Sequence, residues 1–425
     1  MTKKKIISLI LALAICIGSV MSLSSCMLFD LLFYTDIEKE ESDTPNDPAS
    51  QSPANPSVSD ELEFYPSAGG EEVTPENIAQ MSRALLSCVS IKASFEIRYG
   101  YPSNTTETTT SRGSGVIYKI NRERGDAYII TNYHVVYQPD AITANGISTK
   151  IRVFLYGQEL ESYAITATYV GGSMANDIAV LRVSSSDVIK NSQALAATPA
   201  DSDAVAVFDT VYAIGNPEGY GISATNGIIS VESEPLNMTG ADGKTAICPR
   251  VMRVSAAIND GNSGGGLFNS AGQLIGIVNA KRNGTSIDNI AYAIPSNVAI
   301  GLADNIILYC DGSKSINAKK AMLGVTLEAK IAGVIIDEDG KVKKGEIVEI
   351  KEISDTCAIK SSIAVGDRIN SITVGSVAKT VTRIHHVVDA MLLARVGDTV
   401  IINVTRGTET FNISVIVYDE MFVDV

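Results

Sequence analysis

The sequence predicts a mostly β protein: two small β-barrels in succession, then a smaller α+β domain. Three observations carry that reading. Between Val89 and Pro295, short runs rich in Val and Ile recur between glycine-bearing turns, with no long helices alternating among them. That pattern favours an antiparallel β-barrel or sandwich, and a stretch of roughly 200 residues fits two small barrels better than one. After it the pattern changes to one helix, a polar stretch, and a second, shorter set of strands with a single helix.

In chain order, Thr74-Pro75-Glu76-Asn77 reads as a helix start, with Thr suited to the cap and Pro to the first helical position, and the helix runs to about Leu86. Strands are expected at Gly115–Ile120, Tyr128–Thr131, Ile151–Leu155, Ile178–Val183, Thr210–Ile214, Val251–Val254 and Leu274–Val278. Ser296 to Leu308 reads as a helix, with Val298, Leu302, Ile306 and Ile307 on one face. Asp311 to Lys320 reads as a linker. In the last domain a helix is expected near Thr382–Arg395, and Gly397-Asp398 turns the chain into a strand at Thr399–Thr405.

Bulk numbers exclude several classes. The chain has 425 residues and a net charge of −14, and no dense basic patch appears. Binding to nucleic acid through phosphate contacts is therefore not expected. Six cysteines, Cys16, Cys26, Cys88, Cys248, Cys310 and Cys357, show no metal-like spacing. They exclude a dense disulfide framework. Small buried thiols are the expected reading, and one or two bridges among the last four stay open.

The first residues read as an export signal. Lys3, Lys4 and Lys5 precede an apolar run from Ile6 to Leu23, and Leu23-Ser24-Ser25-Cys26 follows. This ending resembles the lipobox of bacterial lipoproteins, which implies cleavage before Cys26 and a lipid on its thiol. The alternative is an uncleaved anchor, since the run is just long enough to cross a bilayer. Either reading places the rest of the chain outside the cytoplasm, held at the membrane. Residues 35 to about 73 are rich in Asp, Glu, Ser, Pro and Asn, with Lys39 the one basic residue. Such a composition buries too little apolar surface to fold and reads as a tether.

Histidine is scarce: His134, His385 and His386 are all there are. His134 ends the apolar run Ile129-Ile130-Thr131-Asn132-Tyr133-His134. Ser263 stands in Gly261-Asn262-Ser263-Gly264-Gly265-Gly266, where glycines permit a sharp turn and let backbone N–H groups converge on one point. Asp177 heads the strand Ile178-Ala179-Val180-Leu181. Taken singly, each has a structural alternative: a packed histidine, a strand-start aspartate, a glycine-rich turn. Together they supply a nucleophile, a base and the acid that orients the base. Their order, His then Asp then Ser, is that of the chymotrypsin arrangement.

Thr131-Asn132-Tyr133-His134-Val135, Asn176-Asp177-Ile178-Ala179-Val180-Leu181 and Gly261-Asn262-Ser263-Gly264-Gly265 resemble the signature blocks of HtrA/DegP-type serine proteases. Gly113-Ser114-Gly115-Val116-Ile117, Ala213-Ile214-Gly215-Asn216-Pro217, Thr225-Asn226-Gly227-Ile228-Ile229-Ser230 and Ala293-Ile294-Pro295-Ser296 match too. The resemblance covers roughly residues 77 to 417. It implies a chymotrypsin-like double β-barrel protease domain at 74–310 and, after the linker at 311–320, a PDZ-like α+β domain at 321–425. Before them would lie a lipoprotein-type signal peptide at 1–25 and a disordered acidic tether at 26–73.

The same resemblance implies the roles. Ser263 attacks the peptide carbonyl, His134 acts as base and then acid, and Asp177 orients His134. The N–H groups of Gly261 and Ser263 form the oxyanion hole. No metal or cofactor is needed. Ala257 falls at the base of the specificity pocket and Ile277 and Asn279 on one wall, which suggests small aliphatic residues before the cut bond. Two positions depart from the family: Ser255, where an acid is common, and Gly266, where Pro or another small residue is. They bear on the stiffness of the active-site loop.

Ala364-Val365-Gly366-Asp367-Arg368-Ile369, Ile372 and Gly397-Asp398-Thr399-Val400 look like a PDZ domain. In it, Leu323, Gly324 and Val325 would capture a peptide C-terminus through backbone N–H groups, and the alternative is an ordinary turn at Gly324. His385 would meet the ligand at a helix start, or His385 and His386 are solvated helix residues. The function implied is cleavage of unfolded or damaged exported proteins, with the PDZ-like domain recruiting substrate or gating activity. The runner-up is a binding or chaperone-like protein with a latent protease domain. A homotrimer is expected by resemblance alone.

Overall fold

The computed structural model describes residues 75–100, 105–279, 290–310 and 316–425. They belong to one compact unit, Gly69–Val425. The signal segment, Cys16, Cys26, the tether, the Thr74 cap and the start of the linker lie outside the described residues. Among those described, no helix is long and apolar enough to cross a membrane.

A first helix, α1 (Pro75–Leu85), leads into six strands: β1 (Cys88–Arg98), β2 (Thr106–Asn121), β3 (Asp126–Thr131), β4 (Lys150–Leu155), β5 (Ile165–Ser173) and β6 (Ile178–Val183). They pair in the order β5-β4-β1-β2-β3-β6, and β5 also pairs with β6, closing the ring. Alternation of side chains puts Ile91, Ile117, Ile129, Ile151 and Leu181 at or near full burial inside it. Each such side chain contributes roughly 1.5–3 kcal/mol.

The second barrel is β7 (Thr210–Gly215), β8 (Ser223–Pro235), β9 (Arg250–Val254), β10 (Gly266–Asn269), β11 (Leu274–Asn279) and β12 (Ala291–Pro295), closed in the order β9-β12-β11-β10-β7-β8. Val211, Ile229, Met252, Val254, Leu267 and Val278 fill it. A separate core of Val116, Ile130, Ile214, Phe268, Ile277 and Ile294 joins the barrels and takes in helix α2 (Ser296–Tyr309).

The C-terminal sheet runs β13 (Val325–Ile336), β14 (Val342–Ile353), β15 (Arg368–Val374), β17 (Thr399–Arg406), β18 (Glu409–Ile416), with β16 (Val377–Thr380) hairpinned onto β15. Helix α3 (Ile384–Leu393) covers it through Val387 and Met391. Gly301 lets α2 meet α3 closely: a Cβ there would stand 3.1 Å from Leu392 Cβ.

Two expectations change. The second half of the linker is structured, because Ile316–Asn317 pairs with Gly171 and Gly172 of β5 and Lys319–Ala321 with Phe422–Asp424. Cys88, Cys248 and Cys357 are free thiols, and Cys248 is exposed rather than buried. Burial pushes the Cys88 thiol up to about 12, so it is inert at neutral pH.

Candidate active site

His134 sits on a single helical turn, Tyr133–Val136, directly after β3. Asp177 occupies the turn between β5 and β6 with φ of +50°, a left-handed backbone that costs a non-glycine residue about 1–3 kcal/mol. The surroundings hold it there. Its carbonyl accepts hydrogen bonds from the Tyr133 N–H (3.2 Å) and from Asn132 Nδ2 (2.9 Å). Its carboxylate accepts the His134 backbone N–H at Oδ1 (3.0 Å) and lies 2.7 Å from His134 Nδ1 at Oδ2.

That geometry fixes the histidine tautomer. A buried carboxylate against Nδ1 keeps the proton there and leaves Nε2 with the lone pair. Burial of the ring opposes a positive charge, but the Asp177 carboxylate, with Asp260 behind it, outweighs burial and raises the His134 pKa above its ordinary value.

The Ser263 turn belongs to the second barrel and packs against the His134 turn. Gly261 has φ of +95° and Gly264 of +84°. A Cβ on Gly264 would stand 2.3 Å from both Ser114 O and Thr131 Oγ1 and 3.0 Å from Asn132 N, so only glycine brings these segments together. Gly113 does the same on the other side, where a Cβ would meet Val135 at 2.6 Å and Ser263 O at 3.0 Å. Val135 follows His134 in the chain, so base and serine turns converge on one small space.

Ser263 is 4% exposed. Among the described residues the N–H groups of Gly261 and Ser263 donate to nothing, although both residues are buried. Two such N–H groups in one turn are able to receive an anionic oxygen together.

Other expected site residues fare differently. Ala257 is exposed, and its carbonyl accepts the Thr225 hydroxyl at 2.9 Å. Asn279 is buried, and its Nδ2 has no hydrogen-bond partner among the described residues. Ile277 is fully buried in the core between the barrels; it backs the site and offers no wall to a substrate, a correction to the sequence reading. Ser255 Oγ accepts the Ile228 N–H at 3.0 Å and ties β8 to the residue after β9. Gly266 is required locally, since a Cβ there would lie 2.3 Å from the Phe268 ring.

Leu323 is buried and Gly324 has φ of +76°, while Val325 opens β13. His385 is half-buried rather than freely solvated, and it lines a small cavity with Ser233, Arg383 and His386. Its ring packs against the catalytic region, Nε2 3.6 Å from Asp203 and Nδ1 3.4 Å from Ser233 Oγ. Asp203, His385 and His386 place potential metal-ligand atoms within 4.8 Å of one another. Asp203 is already held by Arg250 (3.0 Å) and Lys379, so a divalent ion would sit among cations, and the electrostatics do not favour one. The polar residues behind the serine, Ser114, Asn216 and Glu218, were not singled out for any role by sequence, though the Gly113-Ser114-Gly115 block marked the place.

Two facing β-barrels with a carboxylate-oriented histidine beside a glycine-flanked serine define a trypsin-like peptidase scaffold, and the family model for the trypsin-like peptidase domain matches residues 113–277. The chain is 30% identical over 321 residues to the serine protease Do-like HtrA of Lactobacillus helveticus, covering 72% of this chain and 68% of that one. It belongs to the HtrA family of serine proteases. It is also 36% identical over 204 residues to the Do-like HtrA of Lactococcus lactis subsp. cremoris (strain MG1363), covering 46% of this chain and 45% of that one. With the periplasmic pH-dependent serine endoprotease DegQ of Escherichia coli (strain K12) it shares 31% identity over 274 residues, covering 64% of this chain and 52% of that one. The chain thus spans about half the length of several curated relatives it matches. Among solved structures, the HtrA-type protease AlgW with decapeptide aligns with a TM-score of 0.49 at 24% identity, covering 80% of this chain and 98% of that one.

Proposed function

We propose that this chain is a serine endopeptidase acting on unfolded or damaged polypeptides outside the cytoplasm, held at the membrane by a lipid on Cys26 or by the apolar segment before it. The observation that carries the reading is an Asp177-oriented His134 together with the N–H groups of Gly261 and Ser263, which have no acceptor among the described residues.

In this mechanism His134 Nε2 takes the proton of Ser263 Oγ as that oxygen bonds to the peptide carbonyl carbon. Asp177 stabilises the imidazolium that results, and the N–H groups of Gly261 and Ser263 receive the oxyanion. His134 then returns the proton to the leaving amine as the C–N bond breaks. Water, activated by the same ring, releases the acyl group from Ser263.

The C-terminal domain serves as a PDZ-like module for peptide C-termini. Support comes from β13, which pairs only with β14 among the described strands, and from Leu323 and Gly324, whose N–H groups donate to nothing described. The burial of His385 against the catalytic region favours a gating role for this domain over simple capture, and leaves activity dependent on its ligand as the second reading. A homotrimer remains the expected assembly.

The test is digestion of unfolded casein by the purified full-length protein and by its Ser263→Ala variant. Cleavage confined to the wild type supports the serine mechanism. Equal cleavage by both would refute it. Cleavage that appears only on adding apolar C-terminal peptides would support the gated reading.

A further inference from the structure

We propose that Ser114 is the positioning residue of the oxyanion pocket, an inference that rests on the serine protease reading. Ser114 lies on β2 in the first barrel and is completely buried. Its hydroxyl donates to Gly261 O at 2.7 Å and accepts the Asn216 N–H at 2.8 Å. Its own N–H donates to Ser263 O at 2.7 Å, and its carbonyl accepts the Thr131 hydroxyl at 2.7 Å. Every one of these partners belongs to a segment of the site: the serine turn, the Asn216 turn, or the end of β3 that leads into the His134 turn.

The consequence for the pocket follows from peptide geometry. In a trans peptide the carbonyl of Asp260 and the N–H of Gly261 point in opposite directions. Asp260 O accepts the Glu218 N–H at 2.8 Å, so Glu218 sets the direction of the Gly261 N–H. Glu218 is itself in a left-handed conformation, φ +54°, and does not hold that shape unaided. The turn is fixed by Asn216: its N–H on Ser114 Oγ, its Nδ2 on Ser90 Oγ (2.5 Å), its Oδ1 on the Gly221 N–H (2.7 Å). Ser114 Oγ therefore grips both ends of the pocket at once, Gly261 directly and Asp260 through the Asn216–Glu218 turn. No other described side chain hydrogen-bonds both turns.

Removing the hydroxyl leaves Gly261 O and Asn216 N–H buried without their partner and frees the two turns to drift apart. Misplacement of a site by about 1 Å costs on the order of 100-fold in rate. The effect falls on the transition state, because ground-state substrate contacts do not use these N–H groups fully.

The experiment compares wild type, Ser114→Ala and Ser114→Cys, the latter nearly isosteric but a weak donor, as purified full-length proteins. The expected result for Ser114→Ala is a fall in kcat of about 10- to 100-fold with KM changed less than about twofold. Ser114→Cys falls between it and wild type. Affinity for a peptide boronic acid, whose adduct on Ser263 is tetrahedral, weakens by the same factor as kcat, while affinity for the cleaved product peptide holds. The apparent pKa of the His134 limb stays in place. Wild-type kcat and boronate affinity in either variant that folds overturns the inference alone. So does a loss shared equally by product and boronate binding. Absence of Ser263-dependent cleavage in the wild type removes the underlying reading, and this inference with it.

Discussion

At the residue scale, Asp177 does two jobs with two oxygens: Oδ1 holds the His134 backbone and Oδ2 holds its ring. Because the His134 pKa is raised, its effect on activity and its effect on stability have opposite signs. In the proposed mechanism the general base must be neutral, so kcat/KM rises with pH through an apparent pKa above the ordinary histidine value of 6.5. The stabilisation from the charged ring against Asp177 is fully present below 6.5 and is lost as pH rises through the raised value. A pH profile of kcat/KM on a peptide substrate checks the first part, and a midpoint at or below 6.5 would contradict it. Asp177→Asn should lower kcat by roughly 10⁴-fold, since the tautomer is no longer fixed. How much of this was legible in the sequence depends on local pattern. With three histidines in the chain and glycines on both sides of Ser263, the triad candidates could be singled out. Ser114, 147 residues before Gly261, and Asp203, 182 residues before His385, are ordinary polar residues whose partners lie far along the chain. The Gly113-Ser114-Gly115 block marks the place of Ser114 but not its partners, and no local pattern marks Asp203.

At the element scale, strands were legible because Val and Ile at alternate positions fill one barrel interior, and the expected Ile178–Val183 strand is β6 to the residue. The closure of six strands into a ring was not, because closure is set by pairing between strands far apart in sequence, such as β7 with β10. Gly266, the departure from the family pattern, has a structural cause in this chain. The Phe268 ring lies where a Cβ would go, and Phe268 is itself fully buried between the barrels. Gly266→Ala is therefore expected to destabilise the fold by about 1–3 kcal/mol. Adding Phe268→Leu should recover part of that loss, because a smaller side chain vacates the space. Urea midpoints of the two single variants and the double variant measure the coupling; strict additivity would show that the clash is not the cause.

At the scale of the whole molecule, ion pairs join the C-terminal domain to the protease domain alongside the apolar contact of Leu392 with helix α2. Arg383 pairs with Glu232 at 3.0 Å, Lys341 with Asp209 at 2.9 Å, Lys379 with Asp203, and Arg250 with Asp389 at 3.2 Å. Within this layer two groups are shifted in opposite senses. Burial lowers His385 from 6.5 to about 4, despite Asp203 beside it. Burial raises Asp389 from 3.8 to about 6, against the pull of Arg250, Lys320 and Lys379. Asp201, Asp203, His386, Arg250 and Lys379 face the same space. For His385 the unfolded chain binds the proton first, so its contribution is present above 6.5 and is lost as pH falls toward 4. For Asp389 the folded chain binds the proton first, so its contribution is full below 3.8 and is lost as pH rises through 6. Between about 4 and 6 the two therefore offset one another, each by on the order of 2 kcal/mol. Asp389→Asn removes one side of that balance, and stability should then fall more steeply than in wild type as pH drops from 6.5 to 4. His385→Gln removes the other, and the fall should become shallower or reverse. Urea midpoints at four pH values between 4 and 7 decide the matter. Three parallel curves would mean that neither group titrates across the docked interface.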